Sequence, residues 1–112
     1  MSAIKSNQVT VTVDAAGGVA CVPEHLTVKG CDAVLKFTLK TAVNVFPKEG
    51  AVKVDKPGKQ FPFPSRTLHK EPTKATLYDH NSEASNFKYT VTVQRVANGQ
   101  LIELDPVIIN EP

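Results

Sequence analysis

Two acidic side chains near the C-terminal end, Glu103 and Asp105, have types and a spacing that could do chemistry. They lie two positions apart in a stretch typical of a β-strand, so both should point to the same face. Two strand residues span roughly 6.6 Å, which is too far for two carboxyl groups to share one proton. A second acid would have to come from a neighbouring strand or from another copy of the chain. None of the aspartates begins an Asp-Thr-Gly or Asp-Ser-Gly triplet, which excludes the ordinary aspartic proteases.

The bond between Asp105 and Pro106 is the peptide bond of this chain that is weakest toward acid. The aspartyl carboxyl group can attack its own peptide carbonyl, and the proline nitrogen is a readily protonated leaving group. A fold can assist by keeping the carboxyl group protonated or by supplying a second acid that protonates the nitrogen. Asp105 and Pro106 are therefore the candidate reactive pair, and Glu103 is the nearest acid on the same face. In most proteins an Asp-Pro pair is only a turn signal, and this interpretation stays open.

Metal and cofactor chemistry finds little support in the sequence, and we expect neither a metal nor another cofactor. His25, His69 and His80 are not spaced as local metal ligands, so we predict surface histidines. Residues 24–34 resemble a cupredoxin segment in strand pattern, but no cysteine follows Cys31. A blue-copper site needs a cysteine thiolate and two histidines around one metal, so the sequence excludes such a site.

Other common chemistries are also unsupported. The sequence contains no Gly-x-Ser-x-Gly elbow and no glycine-rich phosphate loop. Its net charge of +2 is too small to imply a nucleic-acid partner. No run approaches the ~18 apolar residues of a membrane helix, and the start lacks the apolar core of a secretory signal. We therefore expect a cytoplasmic protein that binds neither nucleic acid nor a membrane, with Cys21 and Cys31 as free thiols.

The elements that must position these side chains are strands. Val, Ile and Thr supply 29 of the 112 residues, and eight prolines and six glycines leave no window of helical length. Apolar and polar residues alternate in Val9–Val13, Ala33–Lys40 and Phe87–Val96. Asn98-Gly99 is the pair preferred in a type I′ hairpin turn, which predicts that Gln100–Leu104 returns antiparallel.

The pattern predicts one all-β domain over residues 1–112, an antiparallel sandwich or small barrel of about six to eight strands. Residues 106–112 contain three consecutive apolar β-formers and should dock as a strand on this sheet or on a second subunit. Residues 48–74 are rich in proline and lysine and should form a long ordered loop. Within this loop Phe61 and Phe63 either plug the end of the fold or form a binding tip.

The C-terminal residues carry a resemblance to a known family. Asp105-Pro106 followed by Glu111-Pro112 resembles the signature of the DP-EP family, a group of small bacterial proteins. The resemblance implies a compact β-barrel or sandwich and a role as an unusual aspartic peptidase that can cleave itself. It implies Asp105 and Pro106 as the reactive pair and leaves the catalytic partner unplaced.

Two hypotheses about function follow. The first is an aspartic-type peptidase that cleaves itself at the Asp105-Pro106 bond, with Glu103 as the second acid. Its partner would be a peptide or protein substrate, including its own C-terminal segment, and a homo-oligomer is compatible with this hypothesis. The alternative is a non-catalytic β-sandwich module that binds a ligand through the loop containing Phe61 and Phe63.

Overall fold

The structure is a computed structural model that describes residues 7–14, 18–41 and 43–112. The N-terminal residues used above to judge a secretory signal lie outside these ranges. The described residues contain no helix, and their eleven strands form two sheets. The strands are β1 (Gln8–Val13), β2 (Val19–Val22), β3 (His25–Lys29), β4 (Ala33–Lys40), β5 (Asn44–Val45), β6 (Val52–Val54), β7 (Arg66–Thr67), β8 (Lys74–Asp79), β9 (Ser85–Arg95), β10 (Leu101–Leu104) and β11 (Val107–Glu111).

The all-β sandwich prediction is confirmed, but two of its details, the purely antiparallel pairing and the strand count, are wrong. The sheets are mixed, because β1 pairs parallel with β4 and β11 pairs parallel with β3. They are not closed into a barrel. The strand count exceeds eight because three strands of only two or three residues, β5, β6 and β7, add to the longer ones, and two of these lie in the proline-rich residues 48–74. Single-strand patterns reveal faces but not partners, which is why the parallel pairs were missed.

The first sheet has the order β2-β1-β4-β8-β7, and the second is built on the long strand β9. One side of β9 pairs with β10 and β11, and its other side pairs with β5 and β6. The core lies between the sheets, where Phe37 and Tyr89 meet edge to face with ring centroids 5.8 Å apart. Burial raises the pKa of the Tyr89 hydroxyl. Apolar residues alternate inward along β4 and β9, as the sequence pattern predicts.

The hairpin between β9 and β10 has the predicted strand pairing but a different turn. The backbone N–H of Arg95 donates to the carbonyl of Gln100, and that of Gly99 donates to the carbonyl of Arg95. Four residues therefore lie between the paired positions. Gly99 has a φ of +72°, whereas Asn98 does not have the positive φ that a type I′ turn requires at both central residues. The type I′ prediction is wrong.

Candidate functional site

The Asp105-Pro106 bond lies in the middle of what is almost one continuous strand. Leu104 pairs with Val91 of β9, and after the interruption Val107 pairs with Lys88 in the same register. The backbone N–H of Tyr89 donates to the carbonyl of Pro106 at 3.1 Å, so the ladder continues through the proline. Pro106 has no N–H that could donate to β9 in turn. Between β10 and β11, strand geometry is lost only at Asp105 and Pro106.

The backbone carbonyl of Asp105 points away from β9. In an antiparallel pair, hydrogen-bonded and non-hydrogen-bonded positions alternate, and Pro106 occupies a hydrogen-bonded one. The carbonyl of Asp105, which belongs to the candidate scissile bond, therefore points to the other side of the strand. Among the described residues it accepts no hydrogen bond.

The two acids identified in the sequence both lie on the outer face of the second sheet. The hydroxyl of Thr90 donates to Oδ1 of the exposed Asp105 at 2.8 Å. The hydroxyl of Thr92 contacts Oε2 of Glu103 at 3.4 Å. Each acid thus faces its own threonine on β9, and the two carboxyl groups make no hydrogen bond with each other in the described part of the chain.

A cleft of about 490 Å³ opens beside Asp105 on this outer face. Lys53 and Asp55 from the β6 side, and Lys88 from β9, line it together with Asp105, whereas Glu103 does not. Strand alternation explains why these side chains share the outer face: Val52 of β6 and Tyr89 of β9 point into the core, so the residues next to them point outward. Sequence reasoning missed Asp55. It lies 50 positions from Asp105, and only the pairing of β6 with β9 brings the two acids into one cleft.

The register sets the separation of Asp55 and Asp105. The backbone N–H of Asp55 donates to the carbonyl of Lys88, so these two residues lie opposite each other. Asp105 lies beyond the other side of β9, two residues further along. With strands about 4.8 Å apart and a rise of about 3.3 Å per residue, the two Cα atoms are roughly 11–12 Å apart. At this separation the two carboxyl groups cannot share a proton directly.

The chain after Pro106 is held on both of its edges. β11 pairs antiparallel with β9 and parallel with β3, and the side chain of Ile108 is fully buried. Glu111 forms an exposed ion pair with Lys29 at 3.8 Å, and Pro112 ends the chain. Residues 106–112 are therefore docked in the second sheet of the same chain.

A buried polar cluster ties this segment to the first sheet. Asp79, Asn81 and Asn110 have exposed fractions of 0–1%. Oδ1 of Asp79 accepts hydrogen bonds from the backbone N–H of Asn81 and from Nδ2 of Asn110, both at 3.0 Å. Oδ2 of Asp79 and the Oδ1 atoms of both asparagines have no hydrogen-bond partner. Burial raises the pKa of the Asp79 carboxyl, and the hydrogen bonds from Asn110 and Asn81 oppose part of that rise.

The two phenylalanines of the proline-rich segment have different environments. Phe61 is 5% exposed and packs edge to face on Phe87, with centroids 5.0 Å apart. Phe63 is 62% exposed and lies tilted against the ring of Tyr78 at 5.8 Å. The plug interpretation holds for Phe61 and fails for Phe63. Strand alternation would place these two residues on the same side, but residues 61–65 do not form a strand, so the two rings are free to diverge.

Tyr78 belongs to a polar cluster on the surface. Its hydroxyl donates to Oδ1 of Asp32, and Nδ1 of His80 lies 3.1 Å from the same oxygen. The Tyr78 hydroxyl, followed by His80, lowers the pKa of Asp32, and the carboxylate in turn raises the pKa of Tyr78. Sequence reasoning treated His80 as a lone surface histidine, because its partner Asp32 is 48 positions away.

The remaining candidate residues are dispersed. His25 and His69 are exposed, and the described part of the chain contains no group of three or more His, Cys, Asp or Glu placed to hold a metal ion. Both cysteines are free thiols. Cys21 is buried, and burial, with a further contribution from Glu24, raises the pKa of its thiol to about 11. Cys31 is exposed.

Comparison with known proteins gives no family assignment. No family model matches this chain, and no curated protein matches it. Across the described residues, no helix has the length and apolar character needed to cross a membrane.

Proposed function

We propose that this protein is an aspartic-type peptidase that cleaves its own chain between Asp105 and Pro106. The observation that carries the proposal is the cleft beside that bond. Asp55 and Asp105 both line this cleft, together with Lys53 and Lys88. The bond also lies where strand geometry is interrupted, and its carbonyl is free of hydrogen bonds among the described residues. An attacking group can therefore reach this carbonyl without breaking a ladder hydrogen bond.

The reaction uses Asp105 as an internal nucleophile. Thr90 holds Oδ1, so Oδ2 is the oxygen that attacks the carbonyl carbon of Asp105 and closes a five-membered ring. The C–N bond to Pro106 breaks, and the proline nitrogen takes a proton to leave as a secondary amine. Water then opens the cyclic anhydride and regenerates the Asp105 side chain together with a new terminal carboxyl group. Asp55, acting through a water molecule, is the acid that we assign to protonation of the nitrogen.

The two lysines of the cleft, Lys53 and Lys88, lie on the β6 and β9 side of the strand, whereas the carbonyl oxygen of Asp105 points to the other side. We therefore assign them positive charge beside the carboxyl group of Asp105 and no contact with the developing oxyanion. Glu103 lies outside the cleft, so we assign it only an effect on the local field. The substrate of this reaction is the chain's own Asp105-Pro106 bond, because the nucleophile is the side chain next to that bond.

Mass spectrometry tests this proposal on the full chain incubated between pH 4 and pH 8. Denaturing spectra should show a product ending at Asp105 and a fragment of residues 106–112, with a rate that rises as pH falls because the leaving nitrogen must be protonated. Asp105→Asn should abolish cleavage. Asp55→Asn should slow it at least about tenfold, the lower range for a general acid. Glu103→Gln, the matched control on the same face, should change the rate less than threefold.

Native spectra of the same samples provide a second readout. Since β11 is hydrogen-bonded on both edges, the fragment should stay bound and the complex should weigh one water more than the intact chain. A wild-type chain that stays intact for days across this pH range would refute the proposal. A Glu103→Gln variant as inactive as Asp105→Asn would instead reassign the acid to Glu103.

A second candidate function rests on Phe63. An exposed phenylalanine packed on a tyrosine, beside a cleft of about 440 Å³ that also contacts His80, favours a module that binds an aromatic group. Phe63→Ser should then abolish retention on an aromatic-ligand resin without lowering the melting temperature. Equal retention of the variant and the wild type would contradict this function.

A further inference from the structure

A cleft of about 810 Å³ lies far along the chain from Asp105, at the edge of the first sheet. Its walls are the segment that follows β5 and the segment around β7, the outermost strand of that sheet. A cleft of this size matches the range found for small-molecule sites. We propose that it binds a small organic anion, a carboxylate or phosphate attached to an apolar body.

Positive charge outweighs negative charge around this cleft. Lys48, Arg66 and His69 are exposed around it, and none of the three forms an ion pair with a carboxylate among the described residues. Glu49 is the acid that lines the cleft, while nearby Glu71 is already paired with Lys74 at 3.1 Å. The rim is therefore net cationic. Arginine matches a carboxylate or phosphate with two parallel hydrogen bonds, so we assign the anionic group to Arg66 and Lys48.

The inner surface of the cleft is apolar. Leu68, at 39% exposure, and Pro72 supply exposed apolar surface there, whereas Phe46, which also borders the cleft, is only 2% exposed. The apolar part of an organic anion can cover this surface, whereas an inorganic ion cannot. The chemistry of the site thus favours an aromatic or acyl anion over free phosphate.

Hydrogen bonds fix both walls before any ligand arrives. The backbone N–H of Phe46 donates to the carbonyl of Pro72 at 2.7 Å, and the hydroxyl of Thr67 donates to the carbonyl of Pro47 at 2.6 Å. The backbone N–H of Leu68 donates to the carbonyl of Lys74 at 2.9 Å. Because the walls are already ordered, binding does not have to pay for ordering a loop.

Amide NMR titrations of the full chain test the proposal with four probes: benzyl phosphate, phenylacetate, benzyl alcohol and inorganic phosphate. The two organic anions should shift the amide signals of residues 46–50 and 64–72 and saturate. Benzyl alcohol and inorganic phosphate should bind at least tenfold more weakly, since each lacks one half of the recognised chemistry. Tighter binding of benzyl phosphate than of phenylacetate would identify the anionic group as a phosphate, and the reverse would identify a carboxylate.

Two variants separate this site from general charge attraction. Arg66→Gln should raise the Kd for the better anion about tenfold. Lys70→Gln removes the same charge from the same segment, but Lys70 does not line the cleft, so its Kd should change less than twofold. Equal effects of the two variants, equal binding of inorganic phosphate, or shifts outside these segments would overturn the proposal. Melting temperatures within 2 °C of wild type, roughly 0.5 kcal/mol or less, show that both variants fold.

Discussion

Asp79 is a buried carboxyl group whose replacement by asparagine should make the protein more stable at neutral pH. Its Oδ2 atom has no hydrogen-bond partner, and burial raises its pKa above the usual value. A buried polar atom without a partner costs about 1–3 kcal/mol, and more when the group is charged. Asparagine keeps the accepting oxygen for Asn81 and Asn110 and replaces the unpartnered oxygen by an NH₂ group. The substitution thereby removes a group that must either stay protonated or carry a charge at a buried site.

The pH dependence gives the sign of this effect. Because the folded-state pKa of Asp79 is raised, the folded chain holds the proton more tightly than the unfolded chain does. The contribution of Asp79 to stability is therefore fully present below the unfolded pKa, near 3.9, and is lost as pH rises through the folded pKa. The advantage of Asp79→Asn should be small at pH 4 and grow with rising pH.

Thermal unfolding measures this difference. We expect Asp79→Asn to gain about 1–2 kcal/mol at pH 7, which for a domain of this size raises Tm by roughly 4–12 °C. Asp79→Ala removes the acceptor of two buried donors and should instead lose about 2–4 kcal/mol. Asp32→Asn is the control of opposite sign, because the pKa of Asp32 is lowered: it should destabilise at pH 7 and lose that effect in acid. A destabilised Asp79→Asn at pH 7 would refute this reasoning.

Three further outcomes follow from burial. Phe37→Ala should destabilise by about 3–5 kcal/mol in urea unfolding, since Phe37 is fully buried against Tyr89; a loss below 1 kcal/mol would contradict its place in the core. Deleting residues 107–112 should cost at least about 3 kcal/mol from lost apolar burial, and an unchanged Tm would mean that the segment is not docked. Iodoacetamide at pH 8 should alkylate Cys31 much faster than Cys21, whose pKa is about 11; equal rates by peptide mapping would contradict that burial.

Local patterns predicted the strands well and their partners poorly. The bounds of β4, Ala33–Lys40, match the prediction because alternation over eight residues leaves little choice. The parallel pairing of β4 with β1 was missed, because pairing depends on how the sheets assemble and not on either strand alone. Asn98-Gly99 marked the correct hairpin, yet the four-residue loop shows that a favoured dipeptide fixes the place of a turn better than its type.

The functional residues divide along the same line. Asp105 and Pro106 were found because their chemistry is a property of two adjacent residues. Asp55 was not found, since it reaches the cleft only through the pairing of β6 with β9. Neither Asp79 nor Asn110 stands out in the sequence, and nothing in their spacing predicts that the two sheets enclose them.

The position of the Asp105-Pro106 bond explains how this fold could tolerate its own cleavage. Residues on either side of the bond pair with β9 in one unbroken register, so the two halves are held by separate sets of hydrogen bonds. The half that would be released is also held by β3 and by the link between Asn110 and Asp79. Pro106 had already removed the ladder donor at this point, so breaking its bond costs the sheet no further hydrogen bond. Cleavage here would leave the sandwich intact and place a new carboxylate at the edge of the cleft that Asp55 lines.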